Sequence, residues 1–122
     1  MNTYEDIKDK LIFFNKASKD YDALRNAKTE FEQEQAGFIS GHLYETHEYL
    51  KYALSNSKEN FEIITKFLEE VCPNTFSIMI ANLDSNPDKY ETLYDLCKDI
   101  NVKKEDNFDF PVDCLQKITI YK

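Results

Sequence analysis

No tryptophan occurs among the 122 residues, and there are only two glycines, three prolines, two histidines and one arginine. So little glycine and proline leaves scant material for the tight turns of an all-β fold, and helix becomes the expected class. Two glycines also cannot assemble a phosphate-cradling loop or a dinucleotide fingerprint, and no serine or cysteine nucleophile signature is present. His42 and His47 stand five apart, which on a helix turns them about 140° away from each other, so they cannot clasp one ion as an i, i+4 pair would. No Glu-x-x-His motif exists to build a ferritin-like dimetal centre. Asp84-Ser85-Asn86-Pro87-Asp88 alternates oxygen ligands as a calcium loop does, but Lys89 stands where that loop needs glycine and Asp95 where it needs a bidentate glutamate. No cofactor and no metal are expected, and an enzyme is the less favoured class. It would have to assemble a site from dispersed Glu, Asp, Tyr and His, with His47 and Glu48 the first residues to substitute.

Cysteine is sparse as well. Cys72, Cys97 and Cys114 are odd in number and form no C-x-x-C pair. They read as reduced thiols, with Cys72 and Cys97 on or beside apolar faces, where cysteine behaves as a small hydrophobe. No 18-residue apolar run is found, and MNTYEDIKDK is charged from residue 5. The expectation is a cytoplasmic protein without membrane contact.

What the chain has in quantity is acid and aromatic bulk. Its net charge of −8 comes from 23 acidic against 15 basic residues spread evenly along it. Such a surface repels nucleic-acid phosphates and anionic membranes and attracts a protein with a basic surface. Nine Phe and eight Tyr supply core material in place of Trp,. Fourteen lysines to one arginine, with ten asparagines, suits an AT-rich coding sequence such as many phages and low-GC bacteria carry; this is an association without a mechanism.

The most two-faced stretch is Lys58–Cys72. At 100° per residue Phe61, Ile63, Ile64, Phe67, Leu68 and Val71 fall within about 160° of arc, a face wide enough to need packing from two sides. The expected fold is therefore an all-α bundle of about five helices around this stretch, a single helical domain over residues 1–122, with a C-terminal tail of uncertain structure. Thr3 and Asp6 propose a capping box for a helix over 4–24, whose stripe runs Tyr4, Ile7, Leu11, Phe14, Ala17, Tyr21 and Leu24. Beyond it RNAKTEFEQEQ offers only Ala27 and Phe31 to a core, so the helix is expected to run on to about residue 35 as a solvated extension. It should stop at Gly37, with a restart near Ser40. The next helix, 40–54, turns Ile39, Leu43, His47, Leu50, Ala53 and Leu54 inward.

Ser55-Asn56-Ser57 caps the central helix and Pro73 ends it. Asn74 then caps a short helix with Phe76, Met79, Ile80 and Leu83 inward; FSIMIA also suits a buried strand, but no partner strand with matching alternation is evident and helix is favoured. Asn86 at an N-cap with Pro87 behind it predicts a helix over 87–100 that buries Tyr90, Leu93, Tyr94, Cys97 and Ile100 and closes at Asn101. Residues 102–107 read as an exposed linker. In the tail, Val112, Leu115 and Ile118 suit a short helix after Pro111, whereas ITIY alternates like a strand, which would either pack irregularly or pair with another chain.

Two surface features rise above this frame. On the 87–100 helix Asp88, Glu91, Asp95 and Asp99 fall within about 80° of arc opposite the apolar face, and like charges so spaced cost a helix a few tenths of a kcal/mol each. The stripe is either a solvated face of an acidic protein or a docking surface for Lys and Arg of a partner. On the 40–54 helix Tyr44, Glu48 and Tyr52 form an outward row at i, i+4, i+8, with Glu45 and Tyr49 beside it. Exposed tyrosine is what interfaces enrich; the alternative is that another helix, or the 25–35 overhang, covers the row. The leading expectation is a non-catalytic inhibitor, of immunity, antitoxin or phage-antagonist type, that occupies a basic partner surface. The alternative is an adaptor or structural subunit that self-associates through the tyrosine face or the ITIY tail.

Overall fold

The computed structural model describes residues 3–26 and 28–121. It is a helical bundle with no strand among the described residues. Helix α1 spans Tyr4–Leu24, as the sequence predicts, and begins with the full capping box: Thr3 Oγ1 accepts from the Asp6 amide at 3.2 Å while the Asp6 carboxylate accepts from the Thr3 amide at 3.3 Å.

The expected extension to residue 35 is not formed. Thr29 opens a new helix, accepting from the Glu32 amide at 3.1 Å and donating to the Glu32 carboxylate at 2.9 Å. Ala27 lies outside the described residues. Helix α2 then runs Glu30–Ala53 without interruption, so the stop at Gly37 and restart near Ser40 are overturned. A glycine ends a helix by turning to positive φ, and neither glycine does,. Each instead stays helical at a cost of about 1 kcal/mol relative to alanine. Packing along α1 offsets that cost. The two helices form an antiparallel hairpin in which Phe13 meets His42 edge-on with ring centroids 6.1 Å apart, Phe14 meets His47 at 6.4 Å, and the Lys10 ammonium lies 5.0 Å from the Tyr49 ring centroid.

Helix α3, Lys58–Val71, is the core element. Ser57 caps it, and the Asn60 amide nitrogen donates to the carbonyls of Ala53 (3.3 Å) and Ser55 (2.7 Å), tying its start to the end of α2. Ile63, Ile64, Phe67 and Leu68 are buried, as are Leu50 and Leu54 from the α2 end and Ile7 and Leu11 from α1. The Phe67 ring is covered by Phe108 (5.6 Å) and Phe110 (5.9 Å) from the C-terminal segment.

Pro73 ends α3 and is at once the first residue of α4, Pro73–Ser85. Its cap is neither Asn74 nor any neighbour in sequence. Asp106 reaches across from residues far along the chain and accepts from the amides of Asn74 (3.2 Å) and Thr75 (2.7 Å) and from the Thr75 hydroxyl. Thr75 and Met79 therefore define the buried line of α4 with Phe76 and Leu83 half-buried, while Ile80, about 100° round from Met79, is exposed and not inward,.

The predicted start at Asn86-Pro87 is also overturned. Residues 86–91 form a turn and bend, Thr92 is the N-cap, accepting from the Asp95 amide at 3.2 Å, and α5 covers only Leu93–Asp99. The reason is long-range: Leu93 N–H donates to the Ile118 carbonyl (2.9 Å) and Ile120 N–H to the Glu91 carbonyl (3.1 Å), an antiparallel bridge between Thr92 and Thr119 that holds Thr92 extended and delays the helix to Leu93. The ITI segment thus finds its partner within the chain, with Ile118 and Ile120 buried and Thr119 exposed. Residues 102–107 are not a linker either. Asn101 opens a short helix, α6, Val102–Asp106, which carries Asp106 to α4 and ends at Asn107 in the left-handed region (φ 51°). A 3-10 turn follows Pro111 at Val112–Leu115, where the short helix was expected.

Candidate functional site

The four acidic residues of the predicted stripe do not share a helix. Asp88 lies in the turn after α4, Glu91 in the bend that pairs with Ile120, and only Asp95 and Asp99 stand on α5. Asp99 is engaged locally: the Tyr90 hydroxyl donates to it at 2.8 Å and the Lys89 ammonium lies 4.0 Å away. The continuous carboxylate row required an 87–100 helix, and the pairing of 91–93 with the tail removes it.

The tyrosine row stands as the sequence describes it. Tyr44, Glu48 and Tyr52 lie on the outer side of α2, the two tyrosines 69% and 89% exposed, while Tyr49 is half-buried against Lys10. Because α2 is unbroken, the row is longer than the sequence suggested. Gly37 and Gly41 continue it toward the N-terminus at the spacing 4, 3, 4, 4, and a Cβ built on either glycine meets nothing within 4 Å. The line from Gly37 to Tyr52 is about 22 Å long. Phe38 and Phe31 flank this face at 72% and 68% exposure, and Glu34 and Glu45 border it. None of residues 30–45 is buried. Sequence reasoning did not join the two phenylalanines to the tyrosines because a helix break at Gly37 separates them; a continuous helix places them together.

A second feature is a cleft of about 540 Å³ where α1, α2 and α5 meet the C-terminal segment. Phe14, Tyr94, Phe110 and Pro111 give it apolar walls, and His47, Lys98, Lys103, Asp109 and Asp113 reach it as polar groups. Asp109 is the fixed one. Its amide donates to Asn15 Oδ1 at 2.8 Å, its side chain is 9% exposed, and Oδ1 lies 3.4 Å from the Lys103 ammonium. Oδ2 has no hydrogen-bond partner in the protein. A polar atom so placed costs on the order of 1–3 kcal/mol until it is satisfied. These residues are scattered from position 14 to position 113, and no local pattern in the sequence joins them.

The remaining titratable chemistry is subdued. Burial pushes the thiols of Cys72, Cys97 and Cys114 up to about 12, with Asp106 adding to the effect at Cys72 and Asp113 at Cys114. Thiols held protonated are poor nucleophiles and poor ligands. At the α1–α3 junction burial, then the hydrogen bond to Glu70 at 2.6 Å, raises the Tyr4 hydroxyl pKa, and Lys66 lies 4.1 Å from the Tyr4 ring centroid. Among the described residues no group of three or more His, Cys, Asp or Glu is placed to hold a metal ion, and no helix is long and apolar enough to cross a membrane.

Comparison of the chain with protein-family models, with curated proteins and with solved structures gives no match.

Proposed function

We propose that this protein is a non-catalytic binding protein that acts by covering a basic surface on another protein, with the outer face of α2 as its contact surface. One observation carries the reading: Tyr44 and Tyr52, with Phe38 and Phe31 beside them, are held out on a rigid helix, exposed, in line with two glycines that leave open space. Tyrosine on a fixed helix brings large amphipathic contact area at small entropic cost, which is how interface anchors work. Glu34, Glu45 and Glu48 around them set the sign of the partner, and the net charge of −8 steers its approach,. An inhibitor in the cytoplasm, of immunity, antitoxin or phage-antagonist kind, fits this chemistry. Asp95 and Asp99 take a lesser part, since the row to which they belonged is broken.

The test is capture of partners by the tagged protein at about 0.1 M and about 0.5 M salt, where the screening length falls severalfold. A basic protein held at low salt by wild type, and lost from the Tyr44→Ala/Tyr52→Ala variant but kept by Asp95→Lys/Asp99→Lys, supports the α2 face. Retention by the tyrosine variant with loss from the aspartate variant moves the contact to α5 and refutes it.

Self-association is the second reading, favoured by the open Gly37–Gly41 line, where a helix of another copy has room to approach closely,. It predicts a dimer that persists at high salt, because apolar burial is not screened. Against it stand the three glutamates that two copies would bring together. Pairing through ITIY loses its ground, since that segment already bonds residues 91–93.

A further inference from the structure

We infer that the cleft between α1, α2, α5 and the C-terminal segment is a binding site for a small, neutral, planar aromatic molecule that carries an N–H donor. Its volume of about 540 Å³ lies in the range of roughly 300–1,000 Å³ that such ligands occupy,. The walls supply Phe14, Tyr94 and Phe110, from three separate segments, so a flat ring finds aromatic surface on more than one side,. The charges reaching the cleft balance, Lys98 and Lys103 against Asp109 and Asp113, so an anion meets two carboxylates and a cation two ammonium groups. A neutral ligand meets neither penalty.

Asp109 is the polar anchor. Its backbone is fixed by Asn15, its side chain is nine-tenths buried, and Oδ2 lacks any acceptor role within the protein. Oδ2 is shut off from solvent as the side chains stand, so a donor brought from outside reaches it only once a neighbouring side chain moves aside,. Lys103 covers the other oxygen and is itself poised between two carboxylates, 3.4 Å from Asp109 and 3.7 Å from Asp22. Withdrawal of the ammonium onto Asp22 keeps it paired and opens the Asp109 carboxylate to the cleft. Lys103 is then a gate, and Asp109 the group that selects for the N–H.

The experiment titrates the full chain with indole and, separately, with benzofuran, which has the same shape with no N–H, and follows amide shifts by two-dimensional NMR. Indole is expected to shift the amides of Asn15, His47, Lys103 and Asp109 saturably in the millimolar range and to bind at least tenfold more tightly than benzofuran. Asp109→Ala, which removes the acceptor and keeps the backbone bond to Asn15, should abolish that tenfold preference, and Lys103→Ala, with the gate removed, should strengthen indole binding while leaving benzofuran unchanged. Equal binding of the two probes to the wild type, or no saturable shift at these residues up to the solubility of indole, overturns the assignment without any variant having to fold.

Discussion

Asp106 shows what one side chain does in this fold. Cys72 sits at the N-cap of α4 without a side-chain bond, so the first-turn amides of Asn74 and Thr75 depend on a carboxylate 31 residues or more along the chain. Burial pulls the Asp106 carboxyl upward in pKa, but the hydrogen bonds from Thr75 and Asn74 together outweigh it and hold the group below its usual 3.8. A depressed folded value means that the stabilisation is complete above about pH 4 and is lost as pH falls through the lower folded value. Urea denaturation at neutral pH should find Asp106→Ala less stable by about 0.5–2 kcal/mol, the usual worth of an N-cap. Repeated between pH 5 and pH 2.5, the wild type should lose more stability than the variant, and parallel curves would remove Asp106 from this role. Local signals point to Asn74 as the cap because nothing in sequence links positions 75 and 106.

The buried thiols give a second residue-scale prediction. With their pKa pushed up to about 12 from an ordinary 9.0, the thiolate fraction at pH 8 falls by roughly a thousandfold,. Iodoacetamide at pH 8 should leave the native protein unlabelled over the time in which the urea-unfolded chain takes up all three labels, as read by mass spectrometry.

Among the elements, α1 and α3 were legible from the sequence because their signals are local: a Thr3–Asp6 box, a Ser57 cap, and an apolar face with the right period. Misreadings arose where a local signal lost to a stronger one. Gly37 and Gly41 lost to the Thr29 cap and to continuous packing on α1, and Asn86-Pro87 lost to Thr92 and the pairing of 91–93 with 118–120. Since neither glycine has a neighbour in the way of a methyl group, Gly37→Ala and Gly41→Ala should each raise stability by about 0.5–1 kcal/mol in urea or thermal denaturation,. With the outer face of α2 as the contact surface, the same two substitutions should weaken partner binding, because they add methyl groups where that face is open. The tail is an element of the core and not an appendage: Ile118 is fully buried, and Ile118→Ala should cost about 2–4 kcal/mol by the same measurement,.

At the scale of the whole molecule, the general character of the fold followed from composition, whereas the arrangement did not. Few glycines and a wide apolar face on residues 58–72 point to a helical bundle, which the chain is. The C-terminal third is what sequence could not place, since its anchors are single long-range contacts: the Lys19 ammonium on the Asn107 carbonyl at 2.6 Å, Asn15 on the Asp109 amide, Asn56 on the Thr119 amide at 3.3 Å. The candidate surfaces divide in the same way. The tyrosine row was visible as a helical period, its continuation through Phe38 and the glycines was hidden by a supposed break, and the cleft was hidden because its walls meet only in three dimensions.

The proposed seat of the partner is the outer face of α2, and site-specific photo-crosslinking probes it at single positions. A photoreactive phenylalanine analogue placed at Tyr44, at Tyr52 and, as a control on another exposed apolar position, at Ile80, is irradiated with the captured partner at about 0.1 M salt. Crosslinks from positions 44 and 52 and none from 80 are the predicted result. Crosslinks from position 80 with none from 44 or 52 would contradict it.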